Sequence, residues 1–317
     1  MNIERTMRAL QSAGELDLPM PGGGSTRSRF HALARMSRGN TVLGRMVEAH
    51  CDALAISTEL GGSATRADAL WGVWAAEPPT PVVQAIRHGD SWQLSGRKRW
   101  CSGASMCDAA LVTARLPDER RALFAVDLVQ PGVVPVPDTW HAVGMADSDS
   151  GSVDFDSVAA TLVGEPGGYL TRPGFWHGAI GVAACWYGSA CGVADTLHQH
   201  VRDGKGDEHT AAHLGAVASR LRSASAVLDH AAQEIDTDPF DERGGAHVRA
   251  LAARATVESV ATEVMDRVGR ALGAGPLCEN ADHARRVADL TVYLRQSHAE
   301  RDLAALGRAV GECEVPW

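Results

Sequence analysis

The spacing of apolar residues changes twice along this 317-residue chain, and the changes divide it into three regions. Residues 1–54 carry a helical period: one short helix to about Ala13, then segments at 27–36 and 41–53. Between them lies PMPGGGST (19–26), which reads as a flexible connection. It has glycines suited to a phosphate loop but neither the lysine nor the preceding strand that such a loop needs. Residues 55–167 change to short runs at 110–113, 123–128, 133–136 and 152–155, bounded by Pro, Gly and Asp turns. No helix-length pattern separates these runs. This predicts a compact antiparallel barrel or sandwich rather than βαβ units. Residues 168–317 return to the helical period over 173–202, 208–236, 245–272 and 281–310, the pattern of a four-helix bundle with short connections. The fold class expected is therefore α+β: a short helical region, a β domain and a C-terminal four-helix bundle.

The stretch GDSWQLSGRKRWCSGASMCDAALVTA (89–114) carries the most chemistry. Trp92 and Leu94 alternate with Ser91, Gln93 and Ser95 as in a half-buried strand, and Gly96 reads as a turn. Lys98, Arg99 and Trp100 follow, and the chain breaks at Ser102-Gly103-Ala104. A tryptophan at a rim beside a hydroxyl and a free backbone N–H suits a flat heteroaromatic ring, stacked by the indole and met at its polar edge by Ser102. The alternative is a core tryptophan at a strand end.

Composition narrows the class. The net charge of −9 leaves no basic stripe to neutralise phosphates, which argues against nucleic acid. Seven scattered cysteines include no CxxC pair, so reduced thiols are expected. His209 and His213 share a helical spacing but lack the zincin glutamate and a third ligand, so no metal is expected. Residues 174–194 contain no Asp, Glu, Lys or Arg and are long enough to span a bilayer. Their Gly, Ala and Ser content instead suits a helix packed closely inside a bundle, so no membrane association is expected. The opening MNIERTMRAL has no apolar leader core, which makes a cytoplasmic location the expectation.

Four segments in order resemble the acyl-CoA dehydrogenase family. ISTELGGS (56–63) is similar to the family's TEPGAGS, and GRKRWCSGA (96–104) to its NGxKxWITNA. MADSDSGSVDFDSV (145–158) resembles the strand written MGxRxSxTxxVxFxxV, and VGEPGGY (163–169) resembles the lead into the bundle. The resemblance implies an FAD-dependent oxidoreductase acting on an acyl thioester or another small molecule, in a homodimer or homotetramer. It implies FAD held between the β domain and the bundle. Thr58 and Ser102 would lie near the pyrimidine edge and N5, and Trp100 would pack on one ring face. Gly273 and Gly275 fall where the family has a glycine turn near the pyrophosphate; an ordinary helix C-cap explains them equally well.

The departures from the family bear on mechanism. The helical region before Thr58 is short for the family. The segment VRDGKG (201–206) stands where the family has RxxFG without its Phe-Gly. The two positions that hold the family's catalytic glutamate carry Thr171 and Ser297, neither of which is a base near neutral pH without activation. If 281–310 is one helix, Glu300 lies three residues from Ser297 on a neighbouring position and can substitute. His298 can act as acid or base. A solvated ion-paired face is the other reading of Glu300 and Arg301. Arg172 and His177 stand in apolar surroundings and are candidates to anchor substrate, although a satisfied core histidine also explains His177. Two alternatives to a dehydrogenase follow: a flavin-dependent monooxygenase or oxidase on the same fold, which needs no such glutamate, or a non-catalytic assembly module.

Overall fold

The computed structural model describes residues 2–62, 68–89 and 91–312. Two compact units make up the chain: residues 1–18, 46–142 and 146–175, and residues 19–45, 143–145 and 176–317.

Among the described residues the first unit has seven strands: β1 (Trp71–Trp74), β2 (Gln84–His88), β3 (Ser91–Lys98), β4 (Ala109–Arg115), β5 (Arg121–Asp127), β6 (Val133–Val136) and β7 (Ser152–Val163). Pairing runs β2–β3–β7–β5–β4 and returns to β2 through Gln84 and Arg115, which closes a barrel. The pairings are antiparallel except where β4 meets β1 and β2, which lie parallel to it. β4 is apolar almost throughout because both of its faces are covered. Ala110, Val112 and Ala114 join a cluster with Trp74, Leu94, Phe124 and Phe155. Ala109 and Leu111 join Ile56, Trp71, Leu123 and Val163 on the other side.

Two strand expectations are corrected. Gly96 is not a turn but an interior residue of β3, with φ +121°. A Cβ there would lie 2.5 Å from the Val82 carbonyl oxygen, so the close backbone approach, not a reversal, demands glycine. The strand read at 152–155 continues to Val163. Leu94 pairs with Val158 and Gly96 with Phe155, so two steps on β3 answer three on β7. The extra residue is a bulge in β7, where Ser157 takes φ +54° and its N–H donates to Ser95 Oγ. The bulge brings both Phe155 and Val158 inward although they are three apart.

Three helices begin the chain: α1 (Ile3–Ser12), α2 (Thr26–Gly39) and α3 (Thr41–Glu59). α3 extends past the expected end at 53, so Thr58 is helical. α4 (Gly168–Thr171) is a single turn after β7. The later helices are α5 (Pro173–Arg202), α6 (Glu208–Thr237), α7 (Ala246–Leu272), α8 (Gly275–Glu279), α9 (Ala281–Tyr293) and α10 (Glu300–Gly311).

In the second unit α5 packs against α2 at backbone distance. A Cβ on Gly188 would sit 2.0 Å from the Ala34 carbonyl oxygen, and one on Gly192 2.7 Å from that of Arg38. That approach accounts for the small residues of the uncharged stretch 174–194, and no helix among the described residues is long and apolar enough to cross a membrane. The glycine loop before α2 is not a loose connection. Asp236 on α6 accepts from the N–H groups of Gly24 and Thr26 and, at 2.6 Å, from Thr26 Oγ1. A carboxylate thus caps the α2 N-terminus across the fold.

The segment expected as one helix over 281–310 is broken. α9 ends at Tyr293, one 3-10 turn covers Leu294–Gln296, and α10 starts at Glu300 after Ala299 takes φ +46°.

Candidate functional site

The end of β3 is fixed from below. Lys98 is buried, and its ammonium donates to Thr113 O at 2.8 Å, Thr113 Oγ1 at 2.7 Å and Glu77 Oε1 at 3.2 Å. Burial lowers its pKa, and the Glu77 carboxylate opposes that effect. Thr113 Oγ1 also donates to Glu77, and Arg121 pairs with the other oxygen of that carboxylate at 3.3 Å. All three ammonium hydrogens are therefore used.

Beyond this anchor the chain turns at Trp100, which takes φ +59°. A left-handed conformation at a bulky residue costs about 1–3 kcal/mol and persists only where its surroundings impose it. Three contacts impose it here. The Cys101 N–H donates to Gly151 O and the Gly103 N–H to Ser148 O, both at 2.8 Å. Trp74 Nε1, in the core, donates to Ser102 O at 3.0 Å. The result is an indole 47% exposed, which overturns the core-tryptophan reading of Trp100. Arg99 lies over its ring, 4.9 Å from the centroid.

Ser102 lies beside it, nearly buried, with its Oγ 2.8 Å from Ser150 Oγ. Ser150 Oγ is in turn 2.8 Å from Ser148 Oγ. Among the described residues no acceptor meets the Ser102 N–H. An exposed flat indole, a fixed turn and an unused amide donor fit the edge and face of a heteroaromatic ring such as a flavin. Sequence reasoning singled out the 145–158 segment but not the hydroxyls of Ser148 and Ser150. The alternation S-D-S-G-S was the available signal.

Thr58 is exposed near the end of α3, and its Oγ1 donates back to Leu54 O at 2.9 Å. Ser63, in the same resembling segment, lies outside the described residues. Arg172 is buried, and its Nη1 pairs with Glu59 Oε2 at 2.6 Å, with Tyr169 under the guanidinium at 5.5 Å. Its Nε meets no acceptor among the described residues. The other Glu59 oxygen accepts from Gly174 N–H at 3.0 Å. Thr171 is exposed, its Oγ1 3.5 Å from the carbonyl oxygens of Gly167 and Gly168.

In the second unit His177 is buried and its Nε2 donates to the Pro239 carbonyl at 3.0 Å. Gly273, φ +65°, ends α7, and Gly275 opens α8; both are exposed, with open space where a Cβ would sit. The break after α9 separates Ser297 from Glu300, so the expected helical neighbourhood of the two does not form. Glu300 is exposed at the first position of α10. His298 is exposed and its Nδ1 lies 3.2 Å from Asp302 Oδ1. Ser297 meets a different carboxylate: its Oγ donates to Glu258 Oε2 of α7 at 3.2 Å, and Arg295 holds the other oxygen at 3.1 Å. Glu258 was missed because it is 39 residues away with no local signal.

A helical lead-in, a barrel of mostly antiparallel strands and a set of long helices define an α+β class of protein. Residues 75–158 match the family model described as acyl-CoA dehydrogenase, middle domain. The chain has the acyl-CoA dehydrogenase fold. FMN-bound TdsC from Paenibacillus sp. A11-2 superposes with a TM-score of 0.83 at 20% identity, over 96% of this chain and 90% of that one. The methanesulfinate monooxygenase MsuC from Pseudomonas fluorescens gives 0.77 at 18% identity, over 100% and 95%. The Tcur3481-Tcur3483 steroid ACAD gives 0.76 at 20%, over 98% and 89%. At these identities the likeness establishes the fold. No curated protein matches the sequence.

Proposed function

We propose that the chain is a flavin-dependent monooxygenase acting on a small molecule rather than an acyl-thioester dehydrogenase. The observation that carries this reading is the state of the two base positions. A dehydrogenase needs a carboxylate within hydrogen-bond reach of the proton it removes. The resemblance puts Thr171 and Ser297 at the positions of that carboxylate, and the Ser297 hydroxyl donates to Glu258. Glu300, the nearest replacement in sequence, starts a separate helix. An oxygenating reaction does not require that base. The dibenzothiophene monooxygenase TdsC and the methanesulfinate monooxygenase MsuC carry such activities on this fold.

A flavin bound at the Trp100 turn would supply two-electron chemistry and, once reduced, oxygen activation. Trp100 would cover one face of the ring and exclude water from it. The Ser102 N–H would donate to the ring's polar edge. Arg172, with its unused Nε, and His177 are the residues proposed to orient substrate. FAD is what the resemblance implies, whereas FMN-bound TdsC supports a mononucleotide. Gly273 and Gly275 would bear on the outcome only for FAD. A homodimer or homotetramer remains part of the proposal. The dehydrogenase reading keeps one specific support, the Glu258–Ser297 contact, through which Glu258 could serve as the base.

Anaerobic titration with reduced and oxidised FMN and FAD tests the site. Trp100→Ala should weaken flavin binding about tenfold, since ring stacking contributes about 1–3 kcal/mol, with an unchanged melting temperature. An oxygen pulse to the reduced complex with small organosulfur and aromatic compounds tests the reaction. Anaerobic bleaching of the bound flavin by an acyl thioester would overturn the monooxygenase reading.

A further inference from the structure

The segment GRKRW (96–100) sets three cations in a row before the turn, and carboxylates neutralise two of them. Arg97 faces Asp154 across the β3–β7 ladder and pairs with it at two points, Nε to Oδ1 at 2.6 Å and Nη2 to Oδ2 at 2.7 Å. The Lys98 ammonium meets Glu77 at 3.2 Å. Arg99 meets no carboxylate among the described residues, although the chain carries a net charge of −9. Its guanidinium lies instead over the Trp100 indole, 4.9 Å from the centroid. In a continuing strand these two neighbours would point to opposite faces. The strand ends at Lys98, and the positive φ of Trp100 brings them together.

The face of an indole is the negative side of its quadrupole. It suits the electron-poor oxidised isoalloxazine and opposes the reduced ring, which is electron-rich and, once it loses a ring proton near neutral pH, anionic. A bare tryptophan therefore holds oxidised flavin better than reduced flavin. A monooxygenase has to hold the reduced ring until oxygen arrives. A guanidinium on one face of the indole draws on the same π density and sets a positive charge behind the other face. The bias of the bare indole is thereby offset.

We propose that Arg99, the one cation of the run left without a carboxylate, acts through Trp100 to shift the site's preference toward reduced flavin. The inference rests on the flavin reading of the Trp100 turn. Arg99 is a positioning residue in it, since it touches the indole and works on the flavin by charge. The flavin phosphate is the other anion that an unpaired arginine could meet. Riboflavin, which has the ring and lacks the phosphate, separates the two.

The test compares affinities for oxidised and dithionite-reduced FMN and riboflavin, measured anaerobically by absorbance and fluorescence, together with thermal melts. One unit charge acting across a ring near the surface is worth about fivefold in binding. Arg99→Gln should therefore lower the affinity for reduced relative to oxidised flavin by about fivefold, with FMN and riboflavin alike. The bound potential then falls by about 20 mV for a two-electron couple. Arg99→Lys should stay near the wild-type ratio, and Arg99→Glu should shift it further in the same direction as Arg99→Gln. Arg99 is exposed, so the melting temperatures should not change. A wild-type ratio in both Arg99→Gln and Arg99→Glu overturns the proposal and leaves the flavin reading intact. A loss confined to FMN and equal for its two redox states also overturns it, and gives Arg99 to the phosphate. A wild-type protein that binds neither form of either flavin overturns both readings.

Discussion

His50, on α3, gives the sharpest prediction about acid stability. It is buried, and its Nδ1 accepts from the Trp71 N–H at 3.1 Å where β1 begins. The ring proton is therefore on Nε2, and protonating Nδ1 would set two donors face to face. Burial pushes its pKa down to about 4, opposed in part by the charge of Asp17. The sign follows from proton counts. In the unfolded chain the imidazole titrates near its ordinary value of about 6.5. Below that pH the unfolded state binds the proton and the native state refuses it. The neutral histidine's contribution is present above about pH 6.5 and is lost as pH falls toward about 4. At one proton the slope is about 1.4 kcal/mol per pH unit, and the loss at about pH 4 amounts to about 3 kcal/mol. His50→Asn keeps an acceptor oxygen for Trp71 and removes the titration. Urea unfolding of both proteins between about pH 7.5 and about pH 4 isolates this one group, because every other titration is shared. The stability of the wild type relative to the variant should fall by about 3 kcal/mol across that range. A difference that does not change with pH would refute the reasoning.

Two further substitutions test how the fold is held. Gly96→Ala places a Cβ 2.5 Å from the Val82 oxygen at φ +121°, and should cost about 2 kcal/mol or more of unfolding free energy; an unchanged melting temperature would show that β2 and β3 can separate freely there. Asp236→Asn replaces an acceptor with donors opposite Gly24, Thr26 and the Thr26 hydroxyl, and should lose about 1–2 kcal/mol in urea unfolding.

The order of helices, barrel and bundle was legible because long periodic segments leave a strong mark. α5 fell at its expected limits, Pro173–Arg202, since the uncharged run of small residues over 174–194 inside it has few other solutions. What failed were places where phase changes inside an element. A scan for strict alternation stops at Phe155, because the next inward residue is Val158 and the bulge that resets the phase depends on pairing with β3. The break before α10 has no proline or glycine to announce it; Ala299 adopts its left-handed conformation in the finished fold. The candidate site divides in the same way. Trp100 and Ser102 could be read locally, as neighbours on one turn. Glu59 under Arg172 and Glu258 beside Ser297 could not, because the partners lie 113 and 39 residues apart. The Ser150 hydroxyl meets Ser102 only once the loop after β3 lies on the loop before β7.

The clamp of Asp236 on the glycine loop has one more consequence. A loop of sequence GGGST opening a helix offers the N–H groups that elsewhere receive phosphate. Here the chain delivers its own anion, held on α6 at bonding distance from Gly24 and Thr26. A free phosphate would have to compete with a ligand that is covalently tethered and already in place, whose effective concentration lies at or above the millimolar range of flexible tethers. The loop is thus an anion receptor saturated from within, and its glycines serve intramolecular recognition rather than nucleotide capture.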